Sequence, residues 1–238
     1  MERIDDLQFE NLKIIQDTDG FCFGIDSVLL TEFARDIKKG SKIVDLGSGT
    51  GILGILLSKK VFPSEITGVE IQKQVAEMSI KSIKMNDLED EIKIINEDIK
   101  NVKLNKNYYD VVVTNPPYKK CGTGINTKNE KQAISRFETT VTLEEWIKVA
   151  SKLLNSKGSF YMVYRTDRLS EVMQAMKENK LEIKRIRFVH SKENEQSNLM
   201  LIKAVKNARV FVKIEKPLII YDENGNYTDE IKEMYKIK

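Results

Sequence analysis

Lys42-Ile43-Val44-Asp45-Leu46-Gly47-Ser48-Gly49-Thr50-Gly51 is the stretch whose reading decides the fold. A short apolar run rich in β-branched residues predicts a buried strand. The alternating glycines after it let the backbone turn sharply and approach a ligand closely. Gly51 to Lys60 then predicts a helix. Working outward, Glu65 to Ile71, Glu91 to Ile95, Tyr109 to Thr114 and Ser159 to Tyr164 predict further strands. Helical spacing at Lys73 to Asn86, Thr142 to Leu154 and Leu169 to Glu178 separates several of them, and Thr142 with Glu145 predicts a capping box. Ile183 to Val189 and Asn198 to Val205 predict a closing antiparallel pair. Strands alternating with helices predict an α/β fold, doubly wound and mostly parallel, with an antiparallel edge hairpin. Residues 7–25 predict a short hairpin leading into a helix from about Asp26. The tail from Tyr221 predicts a turn at Asp222-Glu223-Asn224-Gly225-Asn226 and a short helix near Thr228 to Met234. One domain is expected over 1–238, with a core at 41–206, an N-terminal extension at 1–40 and a C-terminal appendage at 207–238.

Three acids stand at successive strand ends: Asp45, Glu70 and Asp98. Doubly wound sheets bind ligands in the crevice outside these carboxyl ends. A carboxylate at Glu70 can hold both hydroxyls of a ribose, and one at Asp98 can accept from an adenine amino group. Each acid alone reads as a surface carboxylate; in order and at strand ends they read as a set. The glycine spacing is G-x-G-x-G rather than the G-x-G-x-x-G of dinucleotide enzymes.

Asn115-Pro116-Pro117-Tyr118 follows the strand at Tyr109 to Thr114. Neither proline has a backbone N–H, so the pair can continue neither a ladder nor an ordinary helix. Pro116 also pushes Asn115 out of helical geometry. The result is a stiff extended step carrying an amide, free carbonyls and a phenol, which suits a flat, amino-bearing substrate. Residues 120–136 are polar and glycine-containing without a period, and predict a mobile loop with the character of a substrate lid.

The bulk composition is that of a soluble globular protein, with 41% hydrophobic and 32% charged residues among 238. No run approaches the about 18 apolar residues of a membrane span, and the N-terminus lacks a hydrophobic signal region. Two cysteines, Cys22 and Cys121, make neither a disulfide framework nor a zinc site, and a reduced cytoplasm is expected. His190, the only histidine, reads as a strand-end residue. Trp146 with Leu143, Ile147, Ala150, Leu153 and Leu154 reads as a core stripe.

The net charge of +3 says little, but its distribution is uneven. Residues 177–216 hold eleven cations against five acids, a net of +6. Lys119, Lys120, Lys128, Lys131 and Arg136 add to it after the double proline. Such clusters near a site point to a phosphate-bearing partner, although solvated faces give the same pattern.

The glycine loop with its three acids resembles the class I S-adenosylmethionine-dependent methyltransferases, with a Rossmann-like sheet. By that resemblance Asp45, Gly47, Gly49 and Gly51 hold the methionine part, Glu70 the ribose and Asp98 the adenine, with Ile71 and Ile99 as apolar walls. Asn115-Pro116-Pro117-Tyr118 resembles the motif of enzymes that methylate exocyclic or amide nitrogens. An aryl amine is a poor nucleophile because its lone pair is delocalised. Acceptance of its N–H groups by the Asn115 side chain and the Pro116 carbonyl builds density on nitrogen and stabilises the developing charge. Tyr118 stacks on the ring, a contact worth about 1–3 kcal/mol per base. Pro117, Phe137, Lys119 and Lys120 are expected to line the substrate side, and no metal is required.

Gly20-Phe21-Cys22-Phe23-Gly24-Ile25-Asp26-Ser27-Val28-Leu29-Leu30 is similar to the segment before the glycine loop in bacterial valine-tRNA adenine-N6 methyltransferases, where it covers the cofactor. The likeness runs from about Leu12 to Val212. It implies N6-methylation of an anticodon-loop adenine, with RNA held by residues 177–216 and 119–136 and no obligate protein partner. The rivals are a release-factor glutamine-N5 enzyme, for whose helical domain the 44 residues before Asp45 leave little room, and a ribosomal-RNA guanine-N2 enzyme, which tends to carry Phe where Tyr118 stands. A DNA adenine enzyme would need a target-recognition domain. From other classes stand a nicotinamide-dependent oxidoreductase and a non-catalytic RNA-binding module.

Overall fold

The computed structural model of the protein describes residues 2–17, 24–118 and 141–236. Phe137, Lys119, Lys120, Cys22, Cys121, the loop at 120–136 and the start of the segment from Gly20 lie outside them. In chain order the elements are β1 (Glu2–Asp6), β2 (Lys13–Asp17), α1 (Ile25–Phe33), β3 (Lys42–Leu46), α2 (Ile52–Val61), β4 (Glu65–Glu70), α3 (Lys73–Met85), β5 (Ile92–Asn96) and β6 (Tyr109–Thr114). After the second gap come α4 (Leu143–Leu153), β7 (Leu154–Arg165), α5 (Leu169–Glu178), β8 (Leu181–His190), β9 (Ser197–Lys206), β10 (Lys213–Ile214), β11 (Leu218–Ile219) and α6 (Asp229–Met234).

The main sheet runs β10-β8-β9-β7-β6-β3-β4-β5, with β11 also paired to β8. From β7 to β5 every neighbour is parallel; β9 is antiparallel to both β7 and β8. Its strands are apolar on both faces because helices cover both. Ile43, Val111, Val113, Tyr161 and Val163 pack with α1 and α2 on one side. Their alternates Val44, Val112, Phe160, Met162 and Tyr164 pack with α4 and α5 on the other. Trp146, Leu143, Ile147, Ala150 and Leu153 form the buried stripe of α4, whose capping box is present, with Thr142 N donating to Glu145 Oε2 at 2.8 Å.

Chain order reverses between β3 and β6, which lie side by side with Leu46 opposite Thr114. That reversal is the switch point at which open α/β sheets bind ligands. It sets the glycine loop and Asn115-Pro116-Pro117-Tyr118 next to each other at one end of the sheet. Thr114 Oγ1 donates to Leu46 O at 2.8 Å and ties the two strand ends together.

Three features differ from the sequence expectation. The N-terminal hairpin begins at Glu2, not residue 7, and residues 7–12 form its turn. Its first strand, Glu2-Arg3-Ile4-Asp5-Asp6, is largely exposed and lacks an apolar face, so no period marks it. Instead β2 anchors the hairpin to α3, with Ile15 N donating to Ser82 Oγ at 2.9 Å and Lys13 N to Asn86 Oδ1 at 2.9 Å. Strand β7 starts at Leu154, directly after α4, rather than at Ser159. Finally β10 and β11 run parallel to β8, and at two residues each they are too short to show alternation.

Candidate active site

The glycine loop is built for close approach. Gly47, Gly49 and Gly51 have φ of 70°, 54° and 86°, a region that disfavours side chains. Gly47 N and Ser48 N both donate to Val69 O, at 2.9 and 3.0 Å, which pins the loop to β4. A Cβ on Gly49 would meet nothing within 4 Å, so this turn of backbone faces open space. On Gly68 in β4 it would sit 2.9 Å from Ser48 Oγ and 2.6 Å from Ile94 Cδ1, so only glycine lets the loop lie this close.

Around the loop sits a group of buried polar atoms with no partner among the described residues: both carboxylate oxygens of Asp45, Ser48 Oγ, Thr50 Oγ1 and Ser79 Oγ. Buried polar groups are nearly always satisfied, so such a cluster marks a place where a polar ligand binds. Burial, with the neighbouring Glu70 charge, pushes the Asp45 carboxyl up to about 8. Glu70 is raised as well, by burial, against the pull of the hydrogen bonds it accepts, chiefly from the backbone of Gln72 and Gly49. Its Oε2 accepts from Gly49 N at 2.9 Å and its Oε1 from Gln72 N at 2.8 Å. Asp98 is half-buried and accepts from Lys100 N at 2.9 Å, so its turn is preformed. Ile99 is buried in the second core cluster, whereas Ile71 is exposed at the rim. The Asp45 carboxyl, which has no partner among the described residues, with the Glu70 carboxylate, backbone N–H groups and small hydroxyls around an open glycine turn, fits the ammonium, carboxylate and hydroxyl groups of S-adenosylmethionine. When bound, that molecule supplies a methyl group on a sulfonium, a strong electrophile.

Across the switch point, Asn115 is half-buried, Pro116 buried and Pro117 half-buried. Asn115 Nδ2 donates to Ser27 Oγ at 3.3 Å. Its Oδ1 lies 2.5 Å from the Tyr118 hydroxyl, which is also 2.8 Å from Asp26 Oδ2. The Tyr118 ring meets Tyr164 edge to face, with centroids 5.7 Å apart. Among the described residues no donor reaches the Pro116 carbonyl. Five sequence-selected groups thus share this end of the sheet: Asp45, the glycines, Glu70, Asp98 and Asn115-Pro116-Pro117-Tyr118. His190 sits apart at the end of β8, with its Nδ1 2.7 Å from Glu195 O. Among the described residues no group of three His, Cys, Asp or Glu is arranged to hold a metal ion.

Sequence reasoning placed Asp26 and Ser27 in a segment expected to cover the cofactor but assigned neither a contact with Asn115 or Tyr118, and it assigned no role to the hydroxyls of Ser48, Thr50 and Ser79. An acid in the first turn of α1 was the available signal for Asp26; its contact with Tyr118 spans 92 residues and left none.

Similarity to known proteins agrees with this geometry. A Bacteroides thetaiotaomicron protein named tRNA1(Val) (adenine(37)-N6)-methyltransferase is 26% identical over 228 residues, covering 95% of this chain and 94% of the relative. A Haemophilus influenzae protein of the same name is 28% identical, covering 96% and 95%. Among solved structures, a predicted O-methyltransferase from Agrobacterium tumefaciens shares the fold, with a TM-score of 0.70, 21% identity, and coverage of 89% of this chain and 95% of that one. The M. jannaschii tRNA m1G37 methyltransferase matches with a TM-score of 0.64 at 15% identity, over 87% of this chain and 57% of that one. The family model described as methyltransferase small domain matches residues 23–193, most of the chain, and the protein belongs to that family of methyltransferases.

Proposed function

We propose that this methyltransferase modifies N6 of an adenine in RNA, the anticodon-loop adenine of a valine tRNA. One observation carries the reading: the Asn115 amide and the Pro116 carbonyl, which no donor reaches among the described residues, directly follow the strand that runs beside the glycine loop. Two acceptors one residue apart match the two hydrogens of an exocyclic amine. The full-length likeness to relatives named for adenine in valine tRNA supports that base as the amine. In this reading the two acceptors draw the N–H bonds and hold the nitrogen in line with the methyl group, so positioning and charge stabilisation supply the rate. The aromatic ring of Tyr118 fixes the plane of the base. Methylation of total tRNA from a strain lacking the gene, with the modified nucleoside mapped by mass spectrometry, tests this. N6-methyladenosine beside the valine anticodon is expected; modification of another nucleobase or of protein glutamine would refute it.

Asp45 gives a pH signature. Its carboxyl, pushed up to about 8 by burial and the Glu70 charge, must ionise to hold an ammonium. Binding therefore releases a proton, and affinity for S-adenosylhomocysteine is expected to rise with pH up to about 8, then level off. Calorimetry in buffers of different ionisation enthalpy reads the released proton directly. A flat affinity as pH rises toward about 8 would show that Asp45 does not carry this contact.

The basic segment 177–216 is proposed to hold RNA, and its cations divide by environment. Arg185 and Lys203 are engaged by Asp36, Arg187 by Glu230, and Lys206 by the carbonyls of Ser151 and Leu154. Lys177, Lys180, Lys192, Arg209, Lys213 and Lys216 are exposed. Changing Arg209, Lys213 and Lys216 together to Gln is expected to weaken tRNA binding. The salt slope is expected to flatten by about 0.7–0.9 for each phosphate no longer neutralised. Filter binding from low to high salt checks this; an unchanged slope would assign these cations to solubility.

A further inference from the structure

The phenol of Tyr118 has one proton and two acceptors within reach, Asp26 Oδ2 at 2.8 Å and Asn115 Oδ1 at 2.5 Å. Burial and the adjacent Asp26 charge hold this hydroxyl well above the ordinary phenol range, so it remains a donor. Under the proposed reaction, Asn115 Oδ1 must accept from the substrate amine instead. The phenol and the amine are therefore competitors for one oxygen. A hydrogen bond to a carboxylate is roughly twice as strong as one to a neutral amide, so the phenol proton goes to Asp26 when that carboxylate is ionised. Burial pushes the Asp26 carboxyl up from its ordinary value, and the Tyr118 hydrogen bond pulls it back down. Its place in the first turn of α1, where unpaired backbone N–H groups favour an anion, also supports the charge. One residue on, Ser27 is buried and accepts from Asn115 Nδ2, which fixes which end of the amide is nitrogen and which is oxygen.

We propose that Asp26 is a positioning residue for methyl transfer. Its carboxylate accepts the hydrogen bond of the Tyr118 phenol and so keeps the Asn115 amide oxygen open to the acceptor amine. The inference rests on the proposed role of Asn115 and extends it to a segment, Gly24-Ile25-Asp26-Ser27, outside the strand ends. Without Asp26 the phenol has Asn115 Oδ1 as its remaining partner, and every substrate molecule must displace it. Without the phenol hydroxyl there is nothing to displace, and Asp26 loses its task.

The test is a double-mutant cycle on the full chain, using Asp26→Ala, Tyr118→Phe and both together. Turnover is measured with S-adenosylmethionine and an unmodified valine-tRNA transcript, with S-adenosylhomocysteine affinity and melting temperature recorded for each protein. Asp26→Ala is expected to lower kcat about 10- to 100-fold, the range of one hydrogen bond to a charged group, with cofactor affinity unchanged. In the Tyr118→Phe background the same substitution is expected to cost nothing further. Asp26→Asn, which still offers an amide oxygen, is expected to fall between wild type and Asp26→Ala. Equal losses in both backgrounds, no loss in either, or a loss that tracks cofactor affinity or melting temperature would overturn the proposal. Asn115→Ala separates the two levels: an active Asn115→Ala protein refutes the reaction beneath, whereas an inactive one with an additive Asp26 effect refutes this inference alone.

Discussion

Asn115→Ala is expected to abolish methyl transfer while leaving affinity for S-adenosylmethionine nearly unchanged. The carboxamide contacts Ser27 and Tyr118, not the glycine loop, so its loss does not reach the cofactor cradle. It is half-buried and no core cluster depends on it, so the fold is expected to survive. In the proposed mechanism, what disappears is an acceptor for the nitrogen where charge develops. Removing one such preorganised polar group costs about 10²- to 10³-fold in rate elsewhere, and with the phenol left facing the gap the loss here is expected at the upper end. Single-turnover transfer of a tritiated methyl group and calorimetric titration of S-adenosylhomocysteine separate the two effects. Near-normal turnover would remove Asn115 from the mechanism.

Asp45→Val is expected to move two observables in opposite directions. Both carboxylate oxygens are buried with no partner among the described residues, and the carboxyl is pushed up to about 8 by burial and the Glu70 charge. A carboxyl raised in the folded state binds its proton more tightly there than in the unfolded chain. The stability it costs is absent at low pH and grows as pH rises from the unfolded value toward about 8. Valine has a similar shape, suits a central strand and leaves no orphan. The melting temperature of the free protein is thus expected to rise, more at pH 8 than in acid, reflecting about 1–3 kcal/mol for an unsatisfied buried group. Cofactor affinity is expected to fall about 10²- to 10³-fold, the cost of taking one partner from a buried ion pair. Thermal scans with and without S-adenosylhomocysteine read both. A destabilised variant that still binds would contradict the assignment.

The parallel core was legible because its strands are continuous apolar runs separated by helical periods. Both faces of Val111-Val112-Val113 are buried, one under α1 and α2, the other under α4. Strand β1 was not legible, since five mostly exposed residues without an apolar face carry no pattern. The cofactor half of the site could be read because a G-x-G-x-G turn and acids at strand ends are local signals. The substrate half could be read only in part. Asn115-Pro116-Pro117-Tyr118 announces itself by its two prolines, but what holds its amide and phenol comes from α1, 88 to 92 residues away. Charge counting was equally partial: the eleven cations of 177–216 include Arg185, Arg187, Lys203 and Lys206, which hold the molecule together rather than face a partner.

The most direct test of the account is transfer of a tritiated methyl group from S-adenosylmethionine by the purified protein. An unmodified valine-tRNA transcript is offered as acceptor, followed by digestion to nucleosides. The account predicts label in N6-methyladenosine from the anticodon loop, and none when Asn115→Ala replaces the native protein. Label in another nucleoside, label in protein, or undiminished label with Asn115→Ala would contradict it.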